Sequence, residues 1–222
     1  MAVRCATAAI VVAPRQAGKV CLLRDRGSAR IGIVPTHQPA PLDELLAYAQ
    51  GYAEFAMRNI GQVPPALLAE SPTGLIHFVP DRLKDERAKD NLANTARLIC
   101  VGYEVTAAVL VLEAWMKMAK PGETLDMSEP PSEAFDRREV VVLTGETAQH
   151  CKQLLLPIIR TDAGGFFGFG EHDGPKLDNF TGRFAQLLPP MRPGAEVREQ
   201  ARALLAAMGV TEDRLRGNAG WN

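Results

Sequence analysis

TAAVLVLEAWMKMA, residues 106–119, is the stretch on which the fold turns. In an extended chain, alternation sends Val109, Val111, Glu113, Trp115 and Lys117 to one face, and Leu110, Leu112, Ala114, Met116 and Met118 to the other. The spacing predicts a long core strand with the carboxylate of Glu113 set among hydrophobic side chains. A proline-rich connection, KPGETLDMSEPPSEAFD, leads to REVVVLTGE (138–146), the expected antiparallel partner. KQLLLPIIRT (152–161) and GGFFGFGEH (164–172) are expected to continue the sheet.

Working upstream, PLDELLAYAQGYAEFAMRNIG (41–61) places Leu42, Leu45, Leu46, Ala49, Tyr52, Ala53 and Ala56 at spacings of three and four, with Gly61 as a stop. That is a helix. VPPALLAES and LIHFVPD flank Pro72, Thr73 and Gly74 and read as a hairpin, after which Asp81 is positioned to cap a second helix from Leu83 to about Tyr103. Its apolar stripe is Leu92, Ala96, Ile99 and Tyr103. At the start of the chain, CATAAIVVA and VCLLRD about the turn PRQAGK, with ARIGIVPT following, read as a β-meander over 1–38. At the other end, Val197, Ala201, Leu204, Leu205 and Met208 before Gly209 mark an amphipathic helix, and residues 190–222 form a C-terminal helix and tail. The order of elements predicts a single α+β domain over 1–222, with a mainly antiparallel sheet, two central helices and a C-terminal amphipathic helix.

The chain has 222 residues, 46% hydrophobic and 23% charged, which is enough to bury one substantial core. A formal charge of -1 gives no global field for phosphate backbones or anionic lipid, which argues against nucleic acid and membrane partners. The arginines at 4, 15, 24, 26 and 30 form only a local cluster. Pro14 cuts short the apolar N-terminal stretch, so a cytoplasmic protein is expected. Cysteines at 5, 21, 100 and 151 show no C-x-x-C pair. Hairpin register sets Cys21 near Val11, not Cys5, so reduced thiols are expected.

Candidate chemistry concentrates on the two central strands. Glu113, Arg137, Arg138 and Glu139 read either as a carboxylate and arginine cleft, acting as general acid or anion clamp, or as cross-strand ion pairs that fix register; the second is favoured. In GGFFGFGEHDGP, Glu171 and Asp173 share a strand face while His172 turns away, making a weak metal pair, and a strand end followed by a turn is favoured. His77 reads as a partly exposed strand histidine. No nucleophile elbow, Walker A loop or dinucleotide fingerprint occurs, and no cofactor is expected. AIVVAPRQAGKVCLLRD resembles the first hairpin of a Nudix hydrolase, but that family's glutamate-rich metal-binding helix does not follow.

Glu113, Ala114 and Trp115, followed by Pro131, Ser132, Asp136, Arg137, Glu139, Val140 and Val141, resemble a pattern in small uncharacterised bacterial and phage proteins. There a strand ending in Glu-Ala-Trp precedes a Pro-Ser element and an Asp-Arg-x-Glu-Val-Val strand. Ala134 and Phe135 stand where that pattern more usually has a proline, and no activity is associated with it. The expected function is binding, as a homo-oligomer or as an accessory protein to a partner. The alternative is a small-molecule or nucleotide-processing enzyme using the carboxylate and arginine cleft. The apolar stripe of the C-terminal helix fits a dimer seam or, in preference, a lid on the sheet, and the terminal Trp221 hints at docking.

Overall fold

The computed structural model describes residues 11–12, 41–80, 83–117, 133–171 and 182–215. Most of the expected 1–38 meander lies outside the described residues, with Cys5, Cys21 and the N-terminal arginines. So do Asp81, Pro131, Ser132, His172, Asp173 and Trp221.

The first helix, α1, runs Pro41–Ile60 with Asp43 and Glu44 in its first turn and Arg58 in its last, the arrangement its dipole favours. Gly61 ends it at φ 76, where its N–H reaches back to the carbonyl of Ala56 at 3.3 Å. Leu42, Leu45, Leu46, Ala49, Ala53, Ala56 and Met57 are buried along one side, while Tyr52 is half-buried. The hairpin follows as β2 (Ala66–Ser71) and β3 (Gly74–Phe78). The second helix, α2, is Glu86–Gly102. Its N-cap is Asp85, whose Oδ1 accepts from Ala88 N at 2.7 Å, so the helix begins later than the apolar pattern from Leu83 indicates.

The core strand is β4 (Ala107–Met116), and β5 (Arg138–Thr147), β6 (Cys151–Arg160) and β7 (Phe166–Phe169) succeed it. The sheet has the order β3-β2-β4-β5-β6-β7 with antiparallel neighbours throughout, and β1 (Val11–Val12) also pairs with β4. This is an α+β fold. The sheet curls around α1, which touches β2, β4, β5 and β7. Gly145 on β5 lies under the first turns of α1: a Cβ there would sit 3.0 Å from Leu42 Cδ1 and 3.1 Å from Leu46 Cδ2. The missing side chain lets the helix settle onto the strand.

The opposite face carries α2, the segment 182–193, the C-terminal helix α3 (Ala195–Ala207) and the short α4 (Glu212–Leu215). Of the stripe expected on α3, only Ala201 and Leu205 are buried, and both belong to the side toward α2. Gly102 permits that approach, since a Cβ there would lie 3.2 Å from Arg202 Cγ. Val197, Leu204 and Met208 stay about half exposed. No helix of the described residues is long and apolar enough to cross a membrane.

Candidate functional site

The register of β4 against β5 keeps Glu113 and Glu139 on one face of the sheet and sets Arg138 apart from them. Glu113 lies opposite Val141, Trp115 opposite Glu139, and Met116 opposite Arg138. Strand alternation therefore places Glu113 and Glu139 on the α1 face and sends the exposed Arg138 to the other. Arg137 lays its guanidinium over the Trp115 ring, 4.4 Å from the centroid. Glu139 accepts from Arg160 Nε at 2.5 Å, across to β6 rather than to β4.

Glu113 is buried and its Oε2 accepts from Val63 N at 2.7 Å. The local sequence explains this. Pro64 and Pro65 carry no N–H and cannot extend the ladder, so β2 pairs with β4 only from Ala66, opposite Val111. Val63, just ahead of the prolines, has a buried donor that the sheet cannot take, and Glu113 two positions beyond Val111 takes it. The carboxylate among the hydrophobics is thus engaged with backbone. Val-Pro-Pro ahead of an apolar strand was the signal for it.

His77 on β3 lies on the α1 face, edge-on to Tyr52 at 5.2 Å between ring centroids. Burial lowers its pKa below the usual 6.5. Burial, and then the neighbouring Tyr48, push the Tyr52 phenol above its ordinary range. Glu171 is at the end of the described sheet segment, and among the described residues no three His, Cys, Asp or Glu side chains gather as a metal site.

The α2 face holds polar groups that the sequence reading passed over. Glu146 on β5 is buried, with Oε2 accepting from Leu187 N at 2.9 Å and Oε1 from Leu188 N at 3.4 Å. Arg97 on α2 donates through Nη2 to the carbonyls of Arg183 at 2.7 Å and Ala185 at 2.9 Å, and through Nε to that of Gln186 at 3.2 Å. One cation takes the carbonyls of the irregular segment and one carboxylate takes its amides. Gln186, at φ 55, turns the chain between them. Cys100 lies buried nearby; burial first, and then Glu146, push its thiol far above the ordinary range.

Beside this clamp opens a cleft of about 440 Å³ between the Pro72 turn, Val105, Leu188 and Pro189, with Cys100 and Glu104 among its lining. Glu104 follows α2 at φ 53, a left-handed conformation uncommon for a residue with a side chain. Its Oε1 accepts from Arg192 Nε at 2.9 Å and Nη2 at 2.6 Å, and its Oε2 pairs with Arg198 Nη1. The hydrogen bonds from Arg192 and Arg198 hold its carboxyl below the usual range. Arg198 Nε is buried without an acceptor among the described residues. Sequence spacing gave no sign of this trio, because Glu104 and its arginines are far apart along the chain.

No family model, no curated protein and no solved structure matches this chain.

Proposed function

We propose that this chain acts by binding, as a self-associating cytoplasmic protein whose copies meet through the outer face of α3. The observation that carries the reading is the last turn of that helix and the residues that follow it. From Ala203 to Thr211 no residue is charged, and Ala203, Leu204, Ala206, Ala207 and Met208 are all exposed. A surface helix ordinarily presents polar residues outward, and one apolar on every side is normally covered. Arg202, paired with Glu199, precedes the uncharged run, and Glu212, Asp213 and Arg214 follow it. Apposition of two copies about a two-fold axis sets this uncharged patch of each against the same patch of the other and covers both at once, which favours a second copy as the occupant.

Catalysis through Glu113, Arg137, Arg138 and Glu139 draws less support, since Glu113 serves Val63 N, Glu139 serves Arg160 and Arg138 points to the other face. Light scattering on a sizing column tests the proposal. The expected mass is twice the chain mass of 24.1 kDa, falling to one chain for Leu204→Glu, a change at a half-exposed position that spares the core. A single-chain mass for the wild type at high micromolar concentration overturns self-association and leaves a heterologous partner as the occupant of α3.

A further inference from the structure

We infer that the cleft beside Glu104 binds a small neutral molecule with a compact apolar body and one amide-like hydrogen-bonding group. This inference does not depend on self-association. Pro72, Val105, Leu188, Pro189 and Pro193 make the walls apolar, and the volume of about 440 Å³ falls within the roughly 300–1,000 Å³ of small-molecule sites. The walls come from four separate places: the β2–β3 turn, the link from α2 to β4, the β5–β6 turn and the segment 182–193. Each is held by its own ties. Ser71 Oγ donates to the carbonyl of Gly74 at 2.8 Å, Thr106 N to that of Glu70 at 2.9 Å, Thr147 N to that of His150 at 2.7 Å, and Leu187 N to Glu146 Oε2 at 2.9 Å. Closing the cleft would strain or break these bonds, so its apolar surface stays open to solvent until a ligand covers it.

The charges of the lining set the ligand's class. Glu104 and Arg192 are its charged side chains, and they are paired with each other at 2.6 Å. An anion would have to compete with the Glu104 carboxylate for Arg192, and a cation would have to compete with Arg192 and Arg198 for Glu104, so neither finds a spare counter-charge. A neutral ligand leaves the pair intact. Gln149, also in the lining, offers a neutral donor and acceptor on one side chain, and among the described residues that amide has no hydrogen-bond partner. Turning onto a ligand amide therefore costs it no contact within the protein.

The test is titration of the full-length protein with cyclohexanecarboxamide, followed by backbone amide NMR shifts, with cyclohexanecarboxylate and cyclohexylmethylammonium as charged molecules of matching shape. Saturable shifts at Thr106, Gln149 and Leu188 are expected with the carboxamide, and binding about tenfold weaker or worse with either ion. Ala148→Trp, at an exposed position of the lining, sets a large side chain in the cleft and is expected to abolish the shifts. Gln149→Ala is expected to weaken the carboxamide about fivefold, the worth of about one neutral hydrogen bond. Absence of saturation, or carboxamide binding unchanged in Ala148→Trp, overturns the site. Binding of either ion as tight as that of the carboxamide overturns the neutral class, and affinity unchanged in Gln149→Ala overturns the role of Gln149. Should Ala148→Trp unfold, the wild-type comparison of the three molecules still decides between these outcomes.

Discussion

The sheet's two faces are covered by different means. On one, α1 lays Leu42, Leu46, Ala49, Ala53 and Met57 onto β2, β4 and β5, and the contact is made by apolar shape, down to the bare Gly145 beneath Leu42 and Leu46. On the other, α2 shares the surface with residues 182–193, which have no regular structure and are fastened by their backbone to Arg97 and Glu146. A helix satisfies most of its own N–H and C=O groups internally and needs only a matching surface. An irregular segment has to pass those groups to side chains, so its attachment is polar and specific.

The sharpest way to break the contrast is to damage each face by its own means. Leu143→Ala, at a fully buried β5 position on the α1 face, is expected to lose about 4 kcal/mol in urea unfolding, a global loss from cavity and transfer terms. Glu146→Ala, three residues on and facing α2, is expected to lose about 3 kcal/mol by leaving the Leu187 and Leu188 amides unserved. Hydrogen exchange separates the two: those amides exchange fast in Glu146→Ala while the amides of α1 stay protected. Uniform loss of protection in both variants would erase the distinction between the faces.

Smaller effects sharpen it. Because burial lowers the pKa of His77, the unfolded chain takes up its proton first as pH falls. The stability linked to His77 is therefore full above the ordinary value of 6.5 and is lost as pH drops through the depressed value. Thermal melts are expected to show a lower midpoint at about pH 5 than at about pH 7, and His77→Phe should flatten that decline. Smallest is Glu139→Gln, which weakens the pair with Arg160 at the sheet's rim. Both side chains are about a quarter exposed, so a loss below about 1 kcal/mol is expected from the same urea assay.

What could be read from the sequence follows the same division. The apolar periodicity of 41–61, the turn at Pro72–Gly74 and the alternation through 106–119 each mark an element by local rule, and the structure has α1, the β2–β3 hairpin and β4 there. The faces of β4 also came out of alternation alone, with Val109 and Val111 toward α1 and Leu110 and Leu112 toward α2. The clamp did not. Arg97 reaches carbonyls 86 to 89 positions away, and Glu146 reaches amides 41 and 42 away, in a segment with no period to read. Glu113 was conspicuous as a charge among hydrophobics, but its engagement with Val63 N is fixed by two prolines on another strand's approach. The cap of the second helix is Asp85, whose carboxylate accepts from Ala88 N, while the expected Asp81 lies outside the described residues.

The prolines that stop β2 have one more consequence, for what happens when the chain is trimmed. Along a single side, β4 borders β2 from Ala107 to Val111 and then β1 at Ala114 and Trp115. The earliest described strand thus completes the middle of the sheet rather than an outer edge. Proteolysis that removed it would bare a notch of unpaired backbone in the central strand, next to the buried Ala114 and Met116. Such a notch accepts any extended peptide, and a clipped preparation would be prone to aggregate by strand addition while its helices remained intact.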